Sequence, residues 1–410
     1  MQREIIINKT KIPKVIASML VATLLSTSSL WAETTQLAQN FERQRPAASK
    51  KAPEIRKPLP NSIKNRAPRI IKDHSTGFIP VPDRWRLIET IGVLESLADP
   101  YNRNPIKGDR PLFGKDWFIN LAVISDSVFE PRSFPTPVGV QSTRDENSLD
   151  LFGGADQWIF NENLIISLSL IKGDTAFKPP DYEFRLTPVI NFNHAEVEEV
   201  RVLKADPRLG TERTDRHFTL AEAFFDYHIR NVSDRYDFDS VRIGIQPFSS
   251  DFRGFLFQDS QLGLRFFGDR SNNIFQYNLA WFRRLEKDSN SGLNHIQRKI
   301  RDDDIFIANL YWQDFPTLGF QSQITGIYNR NNEAGDFFFN DNAFIERPAS
   351  FGSERGRNYD VGYFGYNGDG HFGRLNLTTS FYTALGSNRD SAFTDETSDI
   401  QAFFFAAEPS

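Results

Sequence analysis

Side chains that can do acid–base chemistry recur at two-residue spacing in the second half of the chain. Glu222, Asp226 and His228 fall on one side of a strand, since successive side chains of a β-strand point to opposite faces. A carboxylate and an imidazole placed in this way can form a catalytic set if Ser380 comes from another strand as the nucleophile. The same groups can instead select solutes by charge along a water-filled path, or pair with one another and fill a small interior.

The two-residue spacing extends through several segments in which apolar residues alternate with polar ones. The polar positions predict one shared set of candidate site residues, expected to line a pore: Glu222, Asp226, His228, Arg242, Gln246, Gln261, Arg265, Gln276, Asn278 and Arg374. The opposite positions are apolar or small. They include Thr219, Ala221, Ala223, Phe225, Tyr227 and Ile229 in one segment, and Phe275, Tyr277, Leu279 and Trp281 in another.

Twelve segments of this kind are predicted to be strands that position these side chains. They lie near 116–125, 156–171, 183–191, 217–230, 240–247, 260–268, 273–282, 304–313, 318–329, 358–366, 372–383 and 399–407. Short connections (172–182, 231–239, 269–272, 314–317 and 367–371) alternate with long ones (126–155, 192–216, 248–259, 283–303, 330–357 and 384–398). The last short connection holds Asn367-Gly368-Asp369-Gly370, which predicts a tight hairpin turn.

Alternation of short and long connections is typical of antiparallel strands that cross a bilayer, with tight turns on the periplasmic side and long loops outside. An Arg or Lys facing lipid at mid-bilayer costs about 2–4 kcal/mol, so the charged side must face a wet interior. Near strand ends, Trp281, Trp312, Tyr328 and Tyr366 indicate an interfacial girdle. The sequence therefore predicts an all-β, antiparallel transmembrane β-barrel of about twelve strands. A soluble β-sandwich is the alternative.

The N-terminal third has a different composition. Residues 1–32 combine a basic start with an apolar stretch and Ala32 before Glu33, which predicts a secretory signal peptide. Residues 33–77 are rich in Pro, Lys and Arg and predict an extended periplasmic linker. Residues 78–115 are interpreted as a periplasmic or lumen-entering transition segment, and residues 116–410 as the barrel.

Composition excludes several classes of protein. Cysteine is absent from the 410 residues, which excludes disulfides and thiolate metal sites. The six histidines have no spacing suited to a shared metal, and no metal or cofactor is predicted. Asp302, Asp303 and Asp304 are either calcium ligands or a solvated loop end. The net charge of −5 offers no footprint for nucleic acid, and the mean hydropathy of −0.45 excludes a bundle of transmembrane helices.

The residues Leu-Ala-Glu-Ala-Phe-Phe-Asp-Tyr-His at 220–228, followed by Val-Arg-Ile-Gly-Ile-Gln-Pro-Phe at 241–248, resemble porin-like outer-membrane barrels of Gram-negative bacteria. In those proteins an acidic strand precedes a strand with an Arg-x-Gly pattern. The resemblance covers about thirty residues and is to the class as a whole. It implies diffusion of small solutes through a lumen and homo-oligomeric assembly, often as a trimer.

We therefore expect a channel or uptake protein of the cell outer membrane that is not an enzyme and lets small polar solutes pass through a charged lumen. Its expected partners are outer-membrane lipid, the barrel-insertion machinery and the solutes. The alternatives are a receptor or adhesin acting through long loops, and a barrel enzyme acting on lipids. Phe403, Phe404 and Phe405 precede a polar end rather than a terminal aromatic residue. Either the insertion signal is displaced, or the chain is a truncated piece of a larger barrel.

Overall fold

The computed structural model of the protein describes residues 104–114, 116–133, 156–173, 179–235, 237–348, 354–389, 391 and 393–410. The predicted signal peptide, the predicted linker and residues 78–103 of the transition segment lie outside this part of the chain. The described strands are β1 (Trp117–Ser133), β2 (Asp156–Lys172), β3 (Tyr182–Glu196), β4 (Glu212–Asn231), β5 (Phe238–Ser249), β6 (Gln258–Arg270), β7 (Phe275–Arg283), β8 (Asp303–Gln313), β9 (Phe320–Asn331), β10 (Phe338–Phe339), β11 (Ile345–Arg347), β12 (Asn358–Phe372), β13 (Leu375–Arg389) and β14 (Ser398–Pro409).

Twelve of these strands form one antiparallel sheet in the order β1-β2-β3-β4-β5-β6-β7-β8-β9-β12-β13-β14, while β10 and β11 form a small separate hairpin. The predicted all-β, antiparallel class and the number of strands are confirmed. The sheet is open, with β1 and β14 at its two edges. The described helical structure is a single turn at Pro207–Leu209, and no helix in the described ranges is long and apolar enough to cross a membrane.

The connections at one end of the sheet have two to nine residues, and those at the other end have eight to twenty-six. Each strand is antiparallel to the next, so alternate connections meet at the same end. One end, the short-turn end, has the connections 173–181, 232–237, 271–274, 314–319 and 373–374. The other, the long-loop end, has 134–155, 197–211, 250–257, 284–302, 332–357 and 390–397.

The described end of the transition segment runs beside the edge of β1. The backbone N–H of Leu121 donates to the carbonyl oxygen of Ile106 at 2.8 Å, and Lys107 forms an isolated bridge with Asn120. These contacts satisfy part of the edge that β1 would otherwise expose.

The predicted turn at 367–371 is wrong. Asn367 to Gly370 continue β12, and the chain turns at Gly373 and Arg374 instead. Gly373 has a φ of 66°, which suits a tight turn. Gly368 has another role, because a Cβ there would lie 2.6 Å from the ring of Phe320. The glycine-rich stretch marks close packing on β12 rather than the turn, and Tyr366 consequently lies within β12 rather than at its end.

The two faces of the sheet differ in chemistry. One face, which we call the polar face, carries amides and hydroxyls that are almost completely buried: Asn191, Gln246, Gln261, Asn278, Asn309, Gln323, Thr325 and Asn367. The opposite, apolar face exposes large hydrophobic side chains: Phe184, Leu186, Ile190, Ile243, Leu264, Leu279, Trp281, Phe306, Leu310, Ile324, Phe364, Phe381 and Leu385. The predicted alternation is present, and Glu222, Asp226, Arg242 and Arg265 lie on the polar face.

Thr219 is an exception to the predicted faces. It is completely buried on the polar face, whereas Phe218 is 45% exposed on the apolar face. Thr187 of β3 pairs with Glu222 and Pro188 pairs with Leu220, which leaves Ala221 without a partner. This β-bulge reverses the alternation within β4, so a single period could not describe the whole strand.

The connection from β5 to β6 folds onto the polar face. We call residues 250–257 the inward segment. Its Ser250 carbonyl oxygen accepts hydrogen bonds from Asn309 of β8 at 2.9 Å and from Gln323 of β9 at 2.7 Å. Phe257, at the other end, packs into an apolar cluster with Phe248, Ala280, Phe282, Ile305, Ile307 and Ile327. The prediction that residues 248–259 form an exposed loop is wrong, because Ser250, Asp251 and Phe257 are buried.

The inward segment shows that the sheet is strongly curved. Six strand intervals separate β5 from β13, which in a flat sheet corresponds to about 29 Å. Asp251 follows the end of β5 by two residues, yet its Oδ1 accepts a hydrogen bond from the hydroxyl of Tyr382 on β13 at 3.0 Å. Two residues and two side chains cannot bridge the flat distance. The sheet therefore curls with its polar face inward.

Candidate functional site

The structure brings nine of the ten predicted site residues together on the polar face of β4 to β7. Strand pairing places Asp226, Arg242 and Arg265 in one row, with Gln246 directly opposite Gln261 in another. Glu222, His228, Gln276 and Asn278 share this face. Arg374 is the exception, because it lies exposed in the turn between β12 and β13.

Acidic and basic side chains on this face are paired with each other, but unevenly. Arg185 of β3 contacts two carboxylates, Glu183 at 2.6 Å and Glu222 at 3.7 Å. Arg242 pairs with Asp226 at 2.8 Å. Arg265 has no carboxylate partner among the described residues and donates from Nε to the Oδ1 of Asn278 at 2.7 Å.

The three arginines alternate with three phenylalanine rings, an arrangement we call the Arg–Phe stack. From β3 towards β6 its order is Arg185, Phe224, Arg242, Phe267, Arg265 and Phe248, with guanidinium-to-ring distances of 5.4, 4.1, 5.6, 4.5 and 5.1 Å. Each distance is within the range of a cation–π contact. The rings hold the guanidinium groups in fixed planes and shield their faces from water.

Sequence reasoning missed the stack because it treated phenylalanine as a lipid-facing residue. A signal was present: Phe224 lies between Glu222 and Asp226 at two-residue spacing, and Phe267 follows Arg265 in the same way. Aromatic rings on the charged side of a strand indicate that arginines stack on them.

The groups proposed for acid–base catalysis have other partners. Asp226 accepts from Arg242. His228 Nε2 is 2.8 Å from the Oδ1 of Asn231. Ser380 Oγ accepts from the Nε of Arg253 at 3.0 Å. Asp226, His228 and Ser380 therefore have separate hydrogen-bond partners and do not form one catalytic set.

The three consecutive aspartates are bound by side chains of the protein. Asp302 pairs with Arg283 at 2.8 Å, and Asp304 accepts from the Nε1 of Trp281 at 2.9 Å. Asp303 is completely buried and lies 3.5 Å from Arg284. Within the described ranges, no group of three or more His, Cys, Asp or Glu residues is arranged to hold a metal ion.

At the long-loop end, residues 284–302 and 332–348 are joined in what we call the loop cap. Arg347 binds Glu286 through two hydrogen bonds of 2.7 and 2.6 Å, and Arg301 binds Glu333 through two of 2.9 and 2.8 Å. Both carboxylates are 5% exposed. Paired, buried contacts of this kind order the loops.

The loop cap also reaches across the sheet to β4. Asn290 donates to Asp215 at 2.8 Å, and His217 Nε2 lies 2.9 Å from the carbonyl oxygen of Asn294. The connection from β7 to β8 therefore passes over β6 and β5 and covers part of the polar face at this end.

The pKa values of Glu333 and His295 in the loop cap are both lowered. Burial alone would raise the pKa of Glu333, but the hydrogen bond and charge of Arg301, with Asn331 and Arg347, outweigh burial and hold this pKa below its usual range. Burial lowers the pKa of His295, and the nearby His217 and Arg298 lower it further. The folded loop cap therefore favours an ionised Glu333 and a neutral His295.

No protein-family model matches the sequence, and no curated protein is significantly similar to it.

Proposed function

We propose that the protein is an outer-membrane channel or uptake protein in which small polar solutes pass along the inward-curving polar face. The observation that carries this proposal is the difference between the two faces of the sheet. Large hydrophobic side chains are exposed on one face along β3 to β13, while the ion pairs Arg185–Glu183 and Arg242–Asp226 lie on the other. Exposed apolar surface of this extent needs a partner, and a lipid bilayer is an apolar partner of the right chemistry.

Aromatic side chains at the borders of the apolar face support the same orientation. At the long-loop end, Trp281 donates to Asp304 at 2.9 Å and Tyr328 donates to Asp360 at 3.0 Å. At the short-turn end, the Nζ of Lys172 lies 5.4 Å from the ring of Tyr182. An apolar ring with a polar partner is the chemistry favoured at a membrane–water interface.

The inward segment would set the width of the path. It occupies the polar face of β8 to β13, while the three arginines of the Arg–Phe stack on β3 to β6 remain partly exposed. Solutes would therefore move between the inward segment and the Arg–Phe stack.

The loop cap favours a second candidate function, a receptor that acts through its long loops. Two doubly hydrogen-bonded ion pairs give these loops a defined surface. Conductance of the purified, refolded chain in a planar bilayer separates the two functions. Stable, ion-selective current steps are expected of a channel, whereas insertion without current would favour the receptor.

A pair of substitutions on β7 tests the orientation of the sheet. Leu279 is 52% exposed on the apolar face. The substitution Leu279→Arg would place a charge in lipid, which costs about 2–4 kcal/mol. We expect it to block assembly into lipid vesicles, measured as heat-modifiable mobility and protease resistance. Gln276→Arg, on the polar face of the same strand, should assemble normally. Equal assembly of both variants would contradict a membrane-facing apolar side.

A further inference from the structure

We propose that Arg265 and Arg242 form a binding site for a small oxyanion, a phosphate or a carboxylate, on the polar face. The site does not depend on the proposed channel function, because binding requires only the folded sheet. It rests on the pairing of the two arginines, on their unused hydrogen-bond donors and on their contacts with phenylalanine.

The two arginines lie directly opposite each other on neighbouring strands. Arg242 of β5 is the register partner of Arg265 of β6. Like charges in this position repel each other and destabilise a sheet. Among the described residues, Asp226 is the one carboxylate that forms an ion pair with either arginine, so the three groups together carry one uncompensated positive charge.

The uncompensated charge belongs to the Arg265 end of the Arg–Phe stack. Glu183 and Glu222 lie beside Arg185 at the other end. Arg265 uses one donor, Nε, towards Asn278, and its two terminal nitrogens have no partner among the described residues. Neither nitrogen is both buried and without a hydrogen bond, so each keeps some exposed surface, and residue Arg265 is partly exposed. They are therefore donors that a solute can reach.

Stacking prepares these donors for an anion. The guanidinium of Arg265 lies 4.5 Å from the ring centre of Phe267 and 5.1 Å from that of Phe248. With its faces against rings, the group can hydrogen-bond only through its N–H edge. A fixed, planar fork of donors matches the two oxygens of a carboxylate or a phosphate and loses little conformational entropy on binding.

The geometry favours a compact anion with at least two oxygens. The N–H edge of Arg265 would bind one pair of oxygens, and Arg242, already held by Asp226, would contribute mainly its charge. A neutral sugar would leave the excess positive charge unpaired, and a cation would be repelled. Phosphate and carboxylate share the required chemistry, so both serve as probes.

The test uses the purified full chain in detergent micelles, titrated calorimetrically with inorganic phosphate and separately with succinate. Saturable binding of at least one probe is expected, and Arg265→Gln should weaken it by about tenfold or more, since charge-assisted hydrogen bonds are lost. Arg265→Lys keeps the charge without the fork and should give an intermediate affinity. The matched control is Arg330→Gln, which removes the same charge from an exposed position at the end of β9 and should bind as the parent does.

Two results would overturn the inference: absence of saturable binding of either probe at millimolar concentration, or equal binding by the Arg265→Gln, Arg330→Gln and parent proteins. If Arg265→Gln fails to fold, the affinity of Arg265→Lys serves as the test. Parent-like affinity in that variant would show that the forked guanidinium donors do not bind the anion. If the protein binds phosphate but passes no current, the anion site stands and the proposed channel function is overturned. If the protein conducts and Arg265→Gln binds the probes as the parent does, the channel function stands and the anion site is overturned.

Discussion

The polar face is built differently in its two halves. On β3 to β6 it carries charged groups, the Arg–Phe stack with Glu183, Glu222 and Asp226. The three arginines and Glu222 remain partly open to solvent, whereas Glu183 and Asp226 are buried. On β8 to β13 it lies beneath the inward segment, and its polar groups there are amides and hydroxyls such as those of Asn309, Gln323 and Thr325.

The difference follows from the cost of desolvation. A neutral amide or hydroxyl can be buried once it is hydrogen-bonded, and two amides and one hydroxyl donate to one oxygen, the carbonyl of Ser250. A buried charge costs far more unless it is closely paired. The one carboxylate of the inward segment, Asp251, meets that condition, because it accepts from the backbone N–H groups of Arg253, Phe255 and Leu256 and from Tyr382.

The largest expected effect separates two phenylalanines, one packed against the inward segment and one in the Arg–Phe stack. Phe282 is completely buried against Phe248 and Phe257, so Phe282→Ala should lower the free energy of unfolding by about 3–5 kcal/mol. Phe267 is partly exposed between two arginines, and Phe267→Ala should cost about 2 kcal/mol or less. Urea unfolding of both variants in lipid vesicles measures this, and equal losses would erase the distinction between the halves.

The second effect concerns the attachment of the inward segment. Asp251→Ala leaves the backbone N–H groups of Arg253, Phe255 and Leu256 without their acceptor, while the Tyr382 hydroxyl keeps Asn367, and should cost about 2–3 kcal/mol. The segment should then leave the polar face, which limited trypsin cleavage after Arg253 would detect. Asp251→Asn keeps one acceptor oxygen and should be cleaved more slowly. Parent-like resistance of Asp251→Ala would show that apolar packing alone holds the segment.

The smallest expected effect is the pH dependence of the loop cap, which, unlike the two halves of the polar face, is held by Glu333 and contains His295. The lowered pKa of His295 favours its neutral form, so stability of the loop cap should fall as pH drops below the ordinary histidine value of about 6.5. Asp288 and Asp341 oppose this shift, while His217 and Arg298 promote it. The lowered pKa of Glu333 stabilises the loop cap above about pH 4.3, and that contribution is lost as pH falls through the lowered value.

Hydrogen exchange of residues 284–302 during acidification should therefore show two steps, each on the order of 1 kcal/mol or less. His295→Gln should remove the upper step and keep the lower one. A single step in the parent protein that His295→Gln leaves unchanged would contradict the role of His295.

The alternation of apolar and polar residues predicted most of the strands, because each strand has apolar side chains on one face of the sheet and polar side chains on the other. Strand ends were predicted less well: β1 continues to Ser133 and β4 begins at Glu212, since backbone pairing persists after the apolar residues stop. The bulge at Ala221 reversed the face of Thr219 for a reason that no periodic pattern contains. Arg374 was assigned to the polar face because the turn was predicted a few residues too early.

By itself, the sequence determined the all-β class, the twelve strands, most of the alternation of short and long connections and the side on which nine candidate residues lie. These properties depend on neighbours within a strand and are therefore visible as periodicity. Tertiary structure alone decided that the sheet curls, that residues 250–257 pack inward and that Arg185, Arg242 and Arg265 stack on three phenylalanines. Each of those depends on contacts between residues that lie far apart or on different strands, and a local pattern in one strand cannot specify the partner it will meet.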